Sequence, residues 1–370
     1  MKHQIALVGG QLLPIYVGIK EFNPDKIHFI VSKESVESLN NLKPMIIGVS
    51  QSEYKCNPFD FYEIKAICEK IIQKVNSEDS IIFNLTGGTK IMVLACQAII
   101  HEKGLNGFYI NQDDSFLTLP SYDRKSIGYE LSVKEFFDIS GHSTYNYKTI
   151  NDYIEDDLRT AEKIKNFANT DSRYKLIIGA FRKKYFNKGD SLPVNGKESI
   201  NNNLKVIWDQ ISINIESNNK NILKLNSKIV QELFFKAVWW ELIVAKEIAN
   251  SKNFKELFLG FELTFKADKN VTKNEIDVLI NTGKKLIFIE CKSGLVKQED
   301  INKMRVVKQT YGGVIAKSIL ICRELPNQSI IEKCKELDIE LFYSFAMNKE
   351  VNPLSKLSKV INDLERKTSI

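Results

Sequence analysis

Asp277, Glu290 and Lys292 are the residues of this chain best equipped for chemistry. They stand in Glu275-Ile276-Asp277, a gap of twelve residues, then Glu290-Cys291-Lys292. Side chains alternate across a strand, so Glu290 and Lys292 share one face and Cys291 takes the other. A turn at Gly283 folds the two segments into a hairpin and brings Asp277 alongside both. Two carboxylates with open water positions suit Mg²⁺ or Mn²⁺. Such a cation polarises a phosphoryl oxygen and lowers the pKa of bound water. The ammonium orients that water or offsets charge in the transition state. This is the minimum equipment for hydrolysing a phosphodiester. The alternative is a surface hairpin with a salt-bridged Asp, Glu and Lys. Against it stand the unbroken apolar run Leu286 to Ile289, where a solvated face would alternate, and the turn Ser293-Gly294, which permits close backbone approach.

A second signal is Asn84-Leu85-Thr86-Gly87-Gly88-Thr89-Lys90, which joins an apolar strand to an apolar helix. The N–H groups of such a loop favour phosphate above the helix N-terminus. Lys90 adds charge, and Thr86 and Thr89 add hydroxyls. The spacing is neither a Walker A loop nor G-x-G-x-x-G, so a dinucleotide cofactor is unsupported. The alternative is a plain tight turn with Gly87-Gly88 chosen for backbone freedom. Gly9-Gly10-Gln11-Leu12-Leu13 follows the first strand and opens on the same carboxyl edge of a parallel sheet, where ligands bind open α/β folds.

The elements that must position these groups follow from periodicity. Residues 1–140 alternate short apolar strands, Ile5–Val8, Lys26–Val31, Met45–Val49, Ile81–Leu85 and Gly107–Ile110, with helical stretches. That predicts an open, mostly parallel Rossmann-like sheet, with Phe116–Leu119 as an added hairpin partner. Residues 141–228 are rich in Asn, Lys and Ser and read as a linker followed by helical or irregular structure. From 229 to 370 a second α/β unit is expected. It comprises one apolar helix from Val230 to Ala249 bearing Trp239, Trp240 and Glu241, strands near 257–263, 274–280 and 286–292, a helix over 298–311, a strand at 317–322, and one more helix and strand. Trp239 and Trp240 read as core. Arg182-Lys183-Lys184 and Lys284-Lys285 read as solvated faces.

Composition agrees with this architecture. The chain has 370 residues, 43% hydrophobic and 26% charged, which excludes a disordered chain and a small disulfide scaffold. The net charge of +6 permits nucleic-acid binding without demanding it. Six cysteines without a C-x-x-C pair and four scattered histidines point to reduced thiols and no zinc site. No apolar run approaches the ~20 residues of a membrane span, and the first ten residues lack a signal-peptide pattern. A cytoplasmic protein is expected.

Glu275-Ile276-Asp277…Glu290-Cys291-Lys292 resembles the PD-(D/E)xK nuclease core, although Ile276 stands where the motif has proline. The resemblance implies that Asp277 and Glu290 bind Mg²⁺ or Mn²⁺, with the Cys291 backbone carbonyl as a further ligand, and that Lys292 assists the attacking water. It implies another carboxylate from the preceding helix, for which Glu241 fits best and Glu232 is the rival. It also makes Gln309 and Tyr311 candidates for substrate contact. Residues 1–140 resemble the CARF sensor domain, most specifically in Thr86-Gly87-Gly88-Thr89-Lys90. The pair of domains is similar to the ancillary nucleases of type III CRISPR systems. This resemblance implies a homodimer that binds cyclic tetra-adenylate through Gly10, Gln11, Leu12, Leu13, Asn84, Thr86, Gly87, Gly88, Thr89 and Lys90. It further implies cutting of single-stranded DNA or RNA, and in some members nicking of duplex DNA, once the ligand is bound. The rival expectations are a restriction- or repair-type endonuclease that needs no ligand, and a ligand-binding regulator with an inactive nuclease domain.

Overall fold

Strand β1 (Lys2–Val8) is buried from His3 onward, as its apolar run predicts, and lies at the centre of the first sheet. In the computed structural model, which describes residues 1–142, 144–186, 192–251, 254–264, 272–312 and 316–366, the chain continues through α1 (Leu13–Phe22), β2 (Lys26–Val31), α2 (Val36–Leu42), β3 (Ser50–Lys55) and α3 (Phe61–Ile72). There follow β4 (Ser80–Asn84), α4 (Lys90–Lys103), β5 (Asn106–Ile110), β6 (Ser115–Leu119), β7 (Arg124–Ser126) and α5 (Val133–Ile139). The strand order is β3-β2-β1-β4-β5-β6-β7, parallel through β5 and antiparallel beyond. The order reverses between β1 and β4, so their carboxyl ends flank the switch point of a Rossmann-like sheet. The strand expected at Met45–Val49 is displaced: β3 begins at Ser50, after a 3-10 turn at Lys43–Met45, and Ile47 is exposed. An edge strand needs only a partly apolar face, and SQSEYK carries little apolar signal.

The stretch read as a linker is built structure. Strand β8 (Thr144–Lys148) pairs with a strand of the C-terminal sheet. Helices α6 (Glu155–Thr170) and α7 (Arg173–Phe181) follow, and α7 runs on into a π turn at Arg182–Phe186. Strands β9 (Gly196–Asn201), β10 (Leu204–Trp208), β11 (Ser212–Ser217) and β12 (Lys220–Asn226) form an antiparallel sheet. Its alternating Leu204, Val206, Trp208, Ile213 and Ile215 are buried in the core of the C-terminal unit. Period-two burial with a polar outer face explains why the Asn- and Lys-rich composition concealed it.

The apolar helix expected at Val230–Ala249 is two, α8 (Val230–Phe235) and α9 (Val238–Ser251), broken where Ala237 adopts a φ of +67°. Trp239 and Trp240 are core residues, as read. Then come β13 (Glu256–Thr264), β14 (Thr272–Asn281), β15 (Leu286–Lys292), α10 (Gln298–Tyr311), β16 (Lys317–Glu324), α11 (Gln328–Glu336), β17 (Glu340–Ala346), β18 (Lys349–Glu350) and α12 (Leu357–Arg366). Among the described residues the sheet order is β18-β17-β16-β15-β14-β13-β8. β14 and β15 are antiparallel, β15 and β16 parallel. Helix α9 packs against β13, β14 and β15. The fold class is α/β, a Rossmann-like domain followed by a restriction-endonuclease-like domain.

The two units share a hydrophobic cluster. Phe136 and Phe137 of α5 are buried together with Phe261, Leu279, Phe288 and Tyr311. Hydrogen bonds add to this seam: Leu131 N donates to the Gly283 carbonyl at 2.6 Å, and the Asn281 side-chain Nδ2 to the Leu131 carbonyl at 2.7 Å. Lys285, read as solvated, is buried, with Nζ donating to the Glu365 carbonyl at 2.6 Å and lying 3.5 Å from Asp114.

Candidate functional site

The hairpin register sets the first site. Val278 stands opposite Ile289 and Asn281 opposite Leu286, so Asp277 falls beside Glu290 one step further along. Asp277 Oδ2 accepts a hydrogen bond from Cys291 N at 2.7 Å. Glu290 is only 5% exposed. Lys292 Nζ lies 2.7 Å from Glu290 Oε1 and 3.2 Å from Asp300 Oδ1. Lys303, one turn along α10, holds its Nζ 3.9 Å from Glu290 Oε2. The expected trio therefore converges on one face, joined by Asp300 and Lys303, which no motif singled out. Their signal was present as two polar residues in the first turns of the predicted helix, but only the packing of α10 beside β15 gives them meaning.

The electrostatics are those of crowded acids. Burial, and then the charge of Glu290, push the Asp277 carboxyl up to about 7, against the help of the Cys291 N–H. Burial and the charges of Asp277, Glu275 and Glu290 hold the Glu241 carboxyl well above the usual range. Of the two α8–α9 rivals, Glu241 is thus the one that shares the field of Asp277 and Glu290; Glu232 sits on the preceding helix. Burial opposes the charge of Lys292, but Glu290, Asp277 and Asp300 together raise its pKa well above the ordinary lysine value. Burial also holds the Cys291 thiol far above its ordinary value, so it stays neutral and its backbone carbonyl is the better donor.

This donor set fits a hard divalent cation. Asp277 and Glu290 offer carboxylate oxygens, and their mutual repulsion is a surplus of buried negative charge that a cation relieves. Among the described residues no three His, Cys, Asp or Glu side chains cluster closely enough to hold an ion unaided. Two carboxylates, the Cys291 carbonyl and retained waters match the preference of Mg²⁺ for partial hydration. When bound, the cation would polarise a phosphoryl oxygen and acidify a bound water.

The second site is a cavity of about 600 Å³ at the carboxyl edge of the first sheet. Gly10, Gln11, Leu12, Leu13, Thr86, Gly87 and Gly88 line it, as expected of ligand-binding loops. The loops touch through backbone: a Cβ on Gly9 would stand 2.7 Å from Gly88 N, and one on Gly87 would overlap the Leu7 carbonyl oxygen. Three expected residues do not line it. Asn84 is fully buried beneath the loop, where its Oδ1 accepts from Thr86 N at 3.1 Å. Thr89 caps α4, accepting from Met92 N at 3.3 Å and donating to the Pro58 carbonyl at 2.5 Å. Lys90 opens α4 and is exposed away from the lining.

The far wall of the cavity belongs to the other unit. Gly283 and Lys284 of the β14–β15 turn line it, as do Gln309, Thr310, Tyr311 and Gly312 at the end of α10. Gln309 and Tyr311, the candidates for substrate contact, stand in the wall of this cavity. Tyr311 is buried, its hydroxyl accepting from Asn274 Nδ2 at 2.9 Å. Each of the two elements thus spans both sites. From Gly283 to Asp277 is six strand residues, about 20 Å. From Thr310 back to Asp300 is ten helical residues, about 15 Å.

Comparison with known proteins agrees with this fold. Residues 4–136 match the model of the Card1 CARF domain, and residues 230–356 that of the Card1-like endonuclease domain. The structure of Can2 from Sulfobacillus thermosulfidooxidans in complex with cyclic tetra-adenylate is 19% identical, with a TM-score of 0.71 covering 99% of both chains. Protein VC1899 from Vibrio cholerae is 12% identical, with a TM-score of 0.72 covering 100% of this chain and 99% of that one. A type III CRISPR defence DNA nuclease activated by cyclic oligoadenylate is 15% identical, with a TM-score of 0.58 covering 97% of this chain and 51% of the other. No curated protein sequence is significantly similar. No helix among the described residues is long and apolar enough to cross a membrane.

Proposed function

Because the chain belongs to the CRISPR-associated nucleases that join an N-terminal CARF domain to a C-terminal Card1-like endonuclease domain, we propose that it is a metal-dependent nuclease switched on by cyclic tetra-adenylate. The observation that carries this reading is that one hairpin and one helix each reach from the sensor cavity to the carboxylate–lysine centre. Asp277 and Glu290, with the Cys291 carbonyl, hold Mg²⁺ or Mn²⁺. Lys292 orients the attacking water and offsets charge on the phosphoryl oxygens. Glu241 adds a further carboxylate, buried in the field of Asp277 and Glu290.

The substrate is single-stranded DNA or RNA, with nicking of duplex DNA as a lesser activity. Arg182 supports a nucleic-acid substrate: it is exposed at the π turn, and its guanidinium lies 3.5 Å from the Cβ position of Gly294, two residues beyond Lys292. A cation so placed serves a phosphate flanking the scissile one. The activator fills the cavity of a homodimer, each subunit offering the same loops to half of a two-fold ring. The Gly87-Gly88 backbone, which lines the cavity, faces its phosphates. The six free, buried cysteines suit a reducing cytoplasm.

Cleavage of labelled single strands, with and without Mg²⁺ and with and without cyclic tetra-adenylate, tests the proposal. Cutting that needs both supports it. Cutting of a defined duplex site without the activator would favour a restriction-type enzyme. Activator binding without any cleavage would favour a regulator with an inactive nuclease domain.

A further inference from the structure

Lys292 does not face Glu290 alone. Its ammonium is shared between Glu290 Oε1 at 2.7 Å and Asp300 Oδ1 at 3.2 Å. The other oxygen of Asp300 accepts from Lys297 N at 2.8 Å and so fixes the first turn of α10. Ile301, Met304 and Val307 bury the inner face of that helix, which ends in the wall of the sensor cavity. A rigid helix moves as one body, so a shift of its last turn reaches Asp300 without unfolding.

We infer that Asp300 is the positioning residue for Lys292, and that through α10 it ties the placement of that ammonium to what fills the cavity. With Asp300 in place, the Lys292 ammonium is held between two carboxylates and does not rest on Glu290 alone. With α10 displaced, the Asp300 anchor is withdrawn and only the pairing with Glu290 remains to place Lys292. The inference rests on the nuclease reading and adds to it the residue through which the two sites communicate.

Asp300→Asn separates this role from simple helix capping. The amide oxygen of Asn still accepts from Lys297 N, whereas its NH₂ group cannot pair with an ammonium. The thermal midpoint of D300N should therefore match the parent protein. Its kcat with saturating activator should fall by about 10- to 100-fold, the usual cost of losing such a supporting partner, with KM little changed. The ratio of rates with and without cyclic tetra-adenylate should shrink, and Asp300→Glu should recover part of both. Parental kcat and activation ratio in D300N would overturn the inference. If D300N proves unstable, D300E decides: no better activity than D300N would reduce Asp300 to a structural cap. A parent protein that cuts no nucleic acid would instead defeat the nuclease reading.

Discussion

Asp277→Asn provides a test of the crowded acid centre that does not depend on substrate. The Asp277 carboxyl ionises near 3.8 when free and is pushed up to about 7 in the fold, by burial first and by Glu290 second. A raised carboxyl means that the folded protein binds the proton more tightly than the unfolded chain. This contribution to stability is therefore complete below pH 3.8 and is lost as pH rises through 7. Roughly three pKa units at 1.36 kcal/mol each set a ceiling of about 4 kcal/mol, of which about 2.6 kcal/mol falls between pH 5 and pH 8. D277N carries no titrating proton there. Denaturant unfolding in EDTA should show D277N gaining on the parent protein by up to that amount as pH climbs. Adding Mg²⁺ at pH 8 should stabilise the parent and leave D277N nearly unchanged, since a ligand of the native state stabilises only what binds it. A stability difference flat across this range would mean that Asp277 ionises as an ordinary carboxyl. The argument that the centre calls for a cation would then fail.

Two further outcomes follow from the same geometry. Glu290→Ala should abolish cutting and Mg²⁺-dependent stabilisation, whereas Lys292→Ala should keep the stabilisation and slow cutting by at least about 100-fold, and both should retain activator affinity; cleavage rates and calorimetry with Mg²⁺ check this pair. Gly10→Phe meets no atom within 4 Å of its Cβ position, so the thermal midpoint should hold while the activator concentration for half-maximal cutting rises at least about tenfold, roughly 1.4 kcal/mol.

The hairpin that carries Asp277, Glu290 and Lys292 was legible because its grammar is local. Alternation placed Glu290 and Lys292 on one face, and Gly283 marked the turn. The sensor loops were legible for the same reason, since each follows an apolar strand and carries glycines needed for backbone contact. What the sequence hid was tertiary. Asp300 and Lys303 look like ordinary surface charge until α10 lies beside β15. That Tyr311, on the same helix, stands in the wall of the sensor cavity is likewise visible only in the folded chain. Asn84 and Thr89 fall outside the cavity lining for a local reason: the Asn84 side chain accepts from Thr86 N, and the Thr89 side chain caps α4. The four-stranded sheet over 196–226 escaped notice because half of each strand faces water and carries Lys, Asn and Ser.

The central claim is that one ligand cavity and one metal centre are coupled through shared elements, and linkage measures it most directly. Lys292→Ala protein should bind single-stranded substrate without consuming it. Calorimetric titration of cyclic tetra-adenylate, with Mg²⁺ present and with and without saturating strand, gives the activator affinity in the two states. If the activator favours the substrate-competent arrangement, bound strand must tighten activator binding by the same factor by which activator tightens the strand. The account predicts matching factors of at least about fivefold, roughly 1 kcal/mol. Activator affinity unchanged by saturating strand would contradict it.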